Sequence, residues 1–125
     1  MIEFKRAYSG FAVDDIAAAR DFYEGVLGVR TSTEMGGMLL NLELPGDRDT
    51  LVYAKPDFQP ATYTILNFAV EDIDAAVDQL ADAGVAMELY ENFDQDERGI
   101  ARGPDGPPIA WFRDPAGNIL SVLEA

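Results

Sequence analysis

The sequence predicts an α+β protein built from two βαβββ modules. Three observations carry that expectation. An internal repeat runs through the chain, each copy of it switches from a strand-like to a helical period, and Gly, Pro and Asp residues punctuate both copies at comparable places. The repeat is plain on alignment of Phe11 to Tyr23 (FAVDDIAAARDFY) with Phe68 to Leu80 (FAVEDIDAAVDQL). At a fixed offset of 57 residues, eight of thirteen positions are identical. Two copies are too few for a solenoid, which needs at least three to bury its faces, so the two modules are expected to share one domain.

The elements follow in order. The first module opens with a β-type run, Phe4 to Val13. The acidic pair Asp14-Asp15 then suits the positive end of a helix. Ile16, Ala19, Phe22, Tyr23, Val26 and Leu27 recur at three- and four-residue spacing, which predicts an amphipathic helix, and Gly28 stands where a left-handed C-terminal residue belongs. Strands are predicted at Val29 to Glu34, Met38 to Leu44 and Thr50 to Lys55, with turns at Gly36-Gly37 and Pro45-Gly46-Asp47. The second module repeats the scheme. It has a strand from Tyr63 to Val70, the pair Glu71-Asp72, and a helix carrying Ile73, Ala76, Val77 and Leu80 that closes at Gly84. Strands are expected at Val85 to Glu91, Ile109 to Arg113 and Asn118 to Leu123. Asp114-Pro115-Ala116-Gly117 turns the chain between the last two. The expected organisation is a single domain over 1–125, with a first module over 1–57, a linker from Lys55 to Pro60 and a second module over 61–125. The one insertion, Asn92 to Pro108, is polar and rich in Gly and Pro, and a loop of that length is either functional or mobile.

Composition bounds the function. At 125 residues, 48% hydrophobic and 26% charged, the chain has the balance of a folded globular domain. Nine basic against twenty-three acidic residues leave a net charge of −14. A field of that sign repels phosphate backbones and anionic headgroups, so neither nucleic acid nor a membrane surface is an expected partner. The chain contains no cysteine and no histidine. That removes thiolate nucleophiles, disulfides and zinc–sulfur sites, and with them the commonest general base and the commonest transition-metal ligand. The opening residues lack an apolar signal-peptide core and no apolar run is long enough to span a bilayer, so a cytoplasmic protein is expected.

Strand alternation assigns candidate site residues. If Phe11 and Val13 face the helices, then Arg6, Tyr8 and Gly10 face the other way, as do Tyr63, Ile65 and Asn67 in the second module. Tyr53 and Ser121 join them from the last strand of each module, and Trp111 shares a face with Arg113. The candidate ligand-binding set is therefore Tyr8, Tyr53, Tyr63, Asn67, Trp111, Arg113 and Ser121, an apolar and aromatic surface with a few oriented polar groups. The same side chains could instead fill a closed sheet. Trp111, the only tryptophan, offers either a stacking face for a ligand or a core anchor. Asp94, Asp96, Gly99 and Asp105 have part of the spacing of a calcium loop, but Arg98 and Arg102 fall where ligands should be, so a solvated loop is expected. No carboxylate pair can be placed at catalytic spacing, and no catalytic residue is singled out.

The early run Phe11-Ala12-Val13-Asp14-Asp15 with Asp21-Phe22-Tyr23 and Leu27-Gly28-Val29, and the late run Phe112-Arg113-Asp114-Pro115-Ala116-Gly117-Asn118, resemble the vicinal oxygen chelate superfamily. This is the group of glyoxalase I, extradiol dioxygenases, fosfomycin-resistance enzymes and bleomycin-resistance proteins. The resemblance covers nearly the whole chain. It implies a curled eight-stranded mixed sheet around a cleft, completed by two modules within one chain or across a dimer, and a homodimer is expected. It also implies four ligand positions in the metal-dependent members. These fall on Tyr8, its repeat equivalent Ile65, Tyr53 and Ser121, where the family pattern is His, His and Glu with some variation. The chain thus resembles a member lacking the metal ligands. No metal and no cofactor is expected. The resemblance leads to a small-molecule binding protein of the bleomycin-resistance type, ligand unnamed. A metal-independent isomerase or lyase working through tyrosine or carboxylate groups is the alternative, and an accessory protein with a disused cleft is a third reading.

Overall fold

The computed structural model describes residues 1–125 and has two units, Met1–Gln59 and Pro60–Ala125. The fold is α+β, with a four-stranded sheet in the first unit and a three-stranded sheet in the second.

The first unit consists of β1 (Ser9–Val13), α1 (Ile16–Arg20), β2 (Arg30–Glu34), β3 (Leu39–Leu44) and β4 (Arg48–Ala54). The sheet order is β1-β4-β3-β2, with β1 parallel to β4 and the remaining pairs antiparallel. Asp15 caps α1, its side chain accepting the Ala18 N–H at 3.1 Å. The expected single helix to Leu27 is not regular. After one α-helical turn and a half it widens into a π-helix over Asp21–Val26, where the Leu27 N–H reaches back five residues to the Phe22 carbonyl at 3.0 Å. The widening lets neighbouring Phe22 and Tyr23 both turn inward. Tyr23 is fully buried, edge-on to Phe22 and 5.9 Å from the ring of Phe11. With Ala19 they cover the sheet face formed by Val13, Leu40, Leu42, Thr50 and Val52, all buried.

The second unit consists of β5 (Thr64–Val70), α2 (Ile73–Asp82), β6 (Ile109–Arg113) and β7 (Ile119–Glu124), with sheet order β5-β7-β6. Asp72 caps α2 as Asp15 caps α1, accepting the Ala75 N–H at 3.1 Å. This explains why the repeat keeps an Asp at that position. Ile73, Val77 and Leu80 bury themselves on the face formed by Ala110, Phe112, Leu120 and Val122. No helix of the protein is long and apolar enough to cross a membrane.

Two strand expectations are corrected. Val85 to Glu91 forms no strand, so there are seven strands and not eight. Its backbone bonds go elsewhere. The Glu88 N–H donates to the Trp111 carbonyl at 2.8 Å, while the Gln95 side chain accepts from the Tyr90 N–H and donates to the Glu88 carbonyl, as a neighbouring strand would. The opening strand begins at Ser9 and not at Phe4, because its parallel partnership with β4 starts at Ser9 opposite Thr50.

Candidate functional site

Each sheet has one face covered by its helix and one face turned away from it. On the first sheet the second face is read from the register. Gly10, Leu51, Asn41 and Ser32 form one row, and Ala12, Tyr53, Leu39 and Glu34 form the next. Tyr53 is 41% exposed, at the centre of an aliphatic strip. Gly10 keeps this face low, since a Cβ there would meet the Leu51 carbonyl oxygen at 3.3 Å. Tyr8 lies just before β1 and is 54% exposed. The Arg6 guanidinium sits over its ring, 5.2 Å from the centroid, and also donates to Asp49 at 3.1 Å.

On the second sheet the corresponding row is Asn67, Ser121 and Trp111, with Ile119 and Arg113 beside it. The sequence-based pairing of Trp111 with Arg113 on the face away from the helix is what the register gives. Ser121 is fully buried and its hydroxyl donates to the Asn67 side-chain amide oxygen Oδ1 at 2.5 Å. Arg113 is held at both ends of its guanidinium, donating from Nε to Glu88 at 2.5 Å and from Nη1 to the Gly117 carbonyl at 2.9 Å. Tyr63 does not join the row. The strand shifts register between Thr64 and Leu66, so Ile65 is an extra residue and the strict alternation that would align Tyr63 with Asn67 is broken. Tyr63 stands before β5, 69% exposed.

Trp111 is the larger correction. It lies on the expected face but offers no open stacking surface, being 9% exposed in a cluster with Ala101 and Ile119. Phe93 stacks over it at 4.8 Å with a 33° tilt, and Tyr90 meets it edge-on at 5.5 Å. Tyr90 comes from the end of the expected strand at Val85 to Glu91 and Phe93 from the polar insertion that follows it. It is pinned in three ways. Gln95 bonds three backbone groups, those of Tyr90, Glu88 and Gly99. Asp96 accepts the N–H groups of Arg98 and Ile100, which turns the calcium-like spacing into a loop cap. Arg98 spans Asp74 and Asp78 on α2, and Arg102 adds a second bond to Asp74 at 2.7 Å. Arg102 first, then Arg98, hold the Asp74 carboxyl below the usual carboxylate range. Sequence reasoning missed this segment because its covering residues, Tyr90, Phe93 and Ala101, have no period. The only signals were Phe93, the one aromatic residue inside the otherwise polar insertion, and Tyr90 just before it.

The remaining shifted groups point one way. The Glu24 carboxyl is lowered by hydrogen bonds from Thr31 and then Arg20, and the Asp57 carboxyl by Lys55. Burial pushes the Tyr90 hydroxyl up, with Glu88 adding to the effect, so it stays a protonated phenol at neutral pH, able to donate as well as accept. No three carboxylates converge on a point where a metal ion could be held.

The four family ligand positions do not fit a metal. Ile65 carries no donor atom, the Ser121 hydroxyl is buried and engaged with Asn67, and Tyr8 lies beneath a guanidinium.

The whole architecture recurs in solved structures. A lactoylglutathione lyase from Agrobacterium tumefaciens is 21% identical with a TM-score of 0.71, over 97% of this chain and 94% of that one. An antibiotic binding protein from a Streptomyces species is 22% identical with a TM-score of 0.70, over 98% of both chains. A fosfomycin resistance protein from Listeria monocytogenes is 13% identical with a TM-score of 0.71, over 100% of this chain and 95% of that one. At these identities the likeness is one of fold. No curated protein matches the sequence. The family model for the Glyoxalase/Bleomycin resistance protein/Dioxygenase superfamily matches residues 6–122, which takes in both copies of the repeat and the Asp114–Asn118 turn, and on that match the chain belongs to this superfamily.

Proposed function

We propose that the protein is a metal-free small-molecule binding protein, working as a homodimer. The observation that carries the reading is the state of the four family ligand positions, Tyr8, Ile65, Tyr53 and Ser121. One is aliphatic, one is a buried hydroxyl already bonded to Asn67, and two are tyrosine side chains. Metal centres are usually built from carboxylate, imidazole or thiolate donors, and none stands at these four positions. What these faces do offer is apolar and aromatic surface with isolated polar groups, the usual make-up of a small-molecule site. Tyr53 on its aliphatic strip, Tyr8, and the Asn67, Ser121, Trp111 and Arg113 group are the binding elements, and Tyr63 is a peripheral one. The reading sets the chain beside the antibiotic binding protein from Streptomyces and apart from the lyase.

The alternative, a metal-independent enzyme, would need a base. Every carboxyl with a shifted pKa here is pulled down by a hydrogen bond, and Tyr90 is held protonated, which favours binding over proton abstraction.

The test combines two measurements. Protein grown and purified with zinc, nickel, manganese and iron supplied should carry no stoichiometric metal by elemental analysis. A screen of uncharged aromatic natural products should return ligands whose saturable binding is unaffected by chelator. One metal ion per chain, retained through dialysis, would sink the proposal. The homodimer is checked separately. Light scattering at micromolar concentration should return twice the 13.7 kDa chain mass, and a particle of the chain mass alone would refute it.

A further inference from the structure

The three rings of this cluster, Trp111, Tyr90 and Phe93, differ in how firmly each is held. Trp111 is fixed in β6, and its carbonyl accepts the Glu88 N–H at 2.8 Å. Tyr90 is fixed through its own N–H to Gln95 at 2.7 Å. Phe93 is 52% exposed and sits in a turn where its N–H meets the Tyr90 carbonyl at 3.3 Å, near the long limit for such a bond. From Gln95 onward the chain is pinned again by Gln95, Asp96 and Arg98. Residues 91–94 therefore form a short, weakly held bow between two fixed ends, with Phe93 as the one ring on it. A half-exposed ring stacked at 4.8 Å on an indole is the part of the cluster most easily replaced. One further feature is unexplained by packing. The Tyr90 hydroxyl is buried and has no hydrogen-bond partner. A buried donor left unmade is costly, and a ligand acceptor would remove that cost.

We infer that Phe93 fills, in the free protein, a ring-binding seat formed by Trp111 and Tyr90, and that the ligand of this seat is an uncharged planar aromatic carrying a hydrogen-bond acceptor. Its ring takes the place of Phe93 on Trp111, and its acceptor takes the hydrogen of the Tyr90 hydroxyl. The net charge of −14 works against an anionic ligand. The inference rests on the binding reading above and narrows its ligand class.

The probes are quinoline, which has an acceptor nitrogen, and naphthalene, its counterpart without one. The readout is the indole N–H resonance, unambiguous because the chain has one tryptophan. Phe93→Ala should bind quinoline saturably and about five-fold more tightly than the wild type, the scale of one lost aromatic contact. In that variant quinoline should bind more tightly than naphthalene, and adding Tyr90→Phe should erase the difference. Phe93→Leu, which keeps apolar bulk without the ring, should fall between, and it serves as the test if the alanine variant folds poorly. Equal quinoline affinity in wild type and Phe93→Ala, or equal affinity for both probes in Phe93→Ala, would overturn the seat. Screened ligands that move β4 resonances but leave the indole unmoved would also overturn it, while the binding reading would stand.

Discussion

Trp111→Ala should destabilise the protein by about 3–5 kcal/mol, read as a fall in the urea midpoint followed by circular dichroism. The indole is 9% exposed, and it holds together a cluster that includes Ala101, Ile119, Tyr90 and Ile109. Removing it leaves a void under a segment that has no strand ladder of its own. Gln95, Asp96 and Arg98 would still tie that segment at its edges, so the cavity would not simply collapse. Against a typical domain stability of about 5–15 kcal/mol, a loss of this size brings the variant close to unfolding at ordinary temperature. Phe93→Ala, on the same cluster, should cost under about 1 kcal/mol, because its ring is half in solvent. The contrast is the test. A Trp111→Ala variant as stable as the wild type would show that the indole does not hold this cluster together.

What the sequence disclosed and what it hid divide along physical lines. The repeat located both helices and the strand that precedes each, because Asp15 and Asp72 cap helices in the same way and the apolar residues after them recur at helical spacing. Strand parity placed Trp111 and Arg113 together, since two residues two apart on one strand must share a face. The same rule failed for Tyr63, because a single extra residue at Ile65 reverses parity and leaves no mark in composition. The expected strand at Val85 to Glu91 failed for another reason. Its residues suit an extended chain, but Gln95, well outside the run, satisfies the backbone groups that a strand neighbour would have used. The π-helical widening at Asp21–Val26 was equally hidden, since Phe22 and Tyr23 fit an α-helical pattern nearly as well. The candidate face of the second sheet was thus half legible. Its floor is read from alternation, whereas its cover comes from a loop whose order depends on side-chain bonds with no periodic signature.

Asp114→Ala should cost about 2–4 kcal/mol, a large effect for a turn residue. Asp114 is 4% exposed and Asn118 2%, so this turn is buried where most are solvated. One carboxylate oxygen accepts the Asn118 N–H at 2.8 Å and the other accepts the Asn118 side-chain amide at 3.2 Å. The backbone closes the same loop twice, from the Gly117 N–H to the Asp114 carbonyl at 2.9 Å and from the Asp114 N–H to the Asn118 carbonyl at 3.0 Å. Gly117 supplies the positive φ of 93° that lets the chain reverse there. Alanine at 114 keeps the backbone bonds but removes both side-chain acceptors from donors that water reaches poorly. Asp114→Asn should lose roughly half as much, since an amide oxygen can still accept the Asn118 N–H. The effect should extend beyond stability. Arg113 donates to the Gly117 carbonyl, so a loosened turn releases one end of its guanidinium and leaves only the bond to Glu88. Denaturant unfolding of both variants, with the Arg113 Nε–H resonance as a local probe, checks the two consequences together. An alanine variant with wild-type stability and an unmoved Arg113 signal would show that the backbone bonds alone set this corner of the sheet.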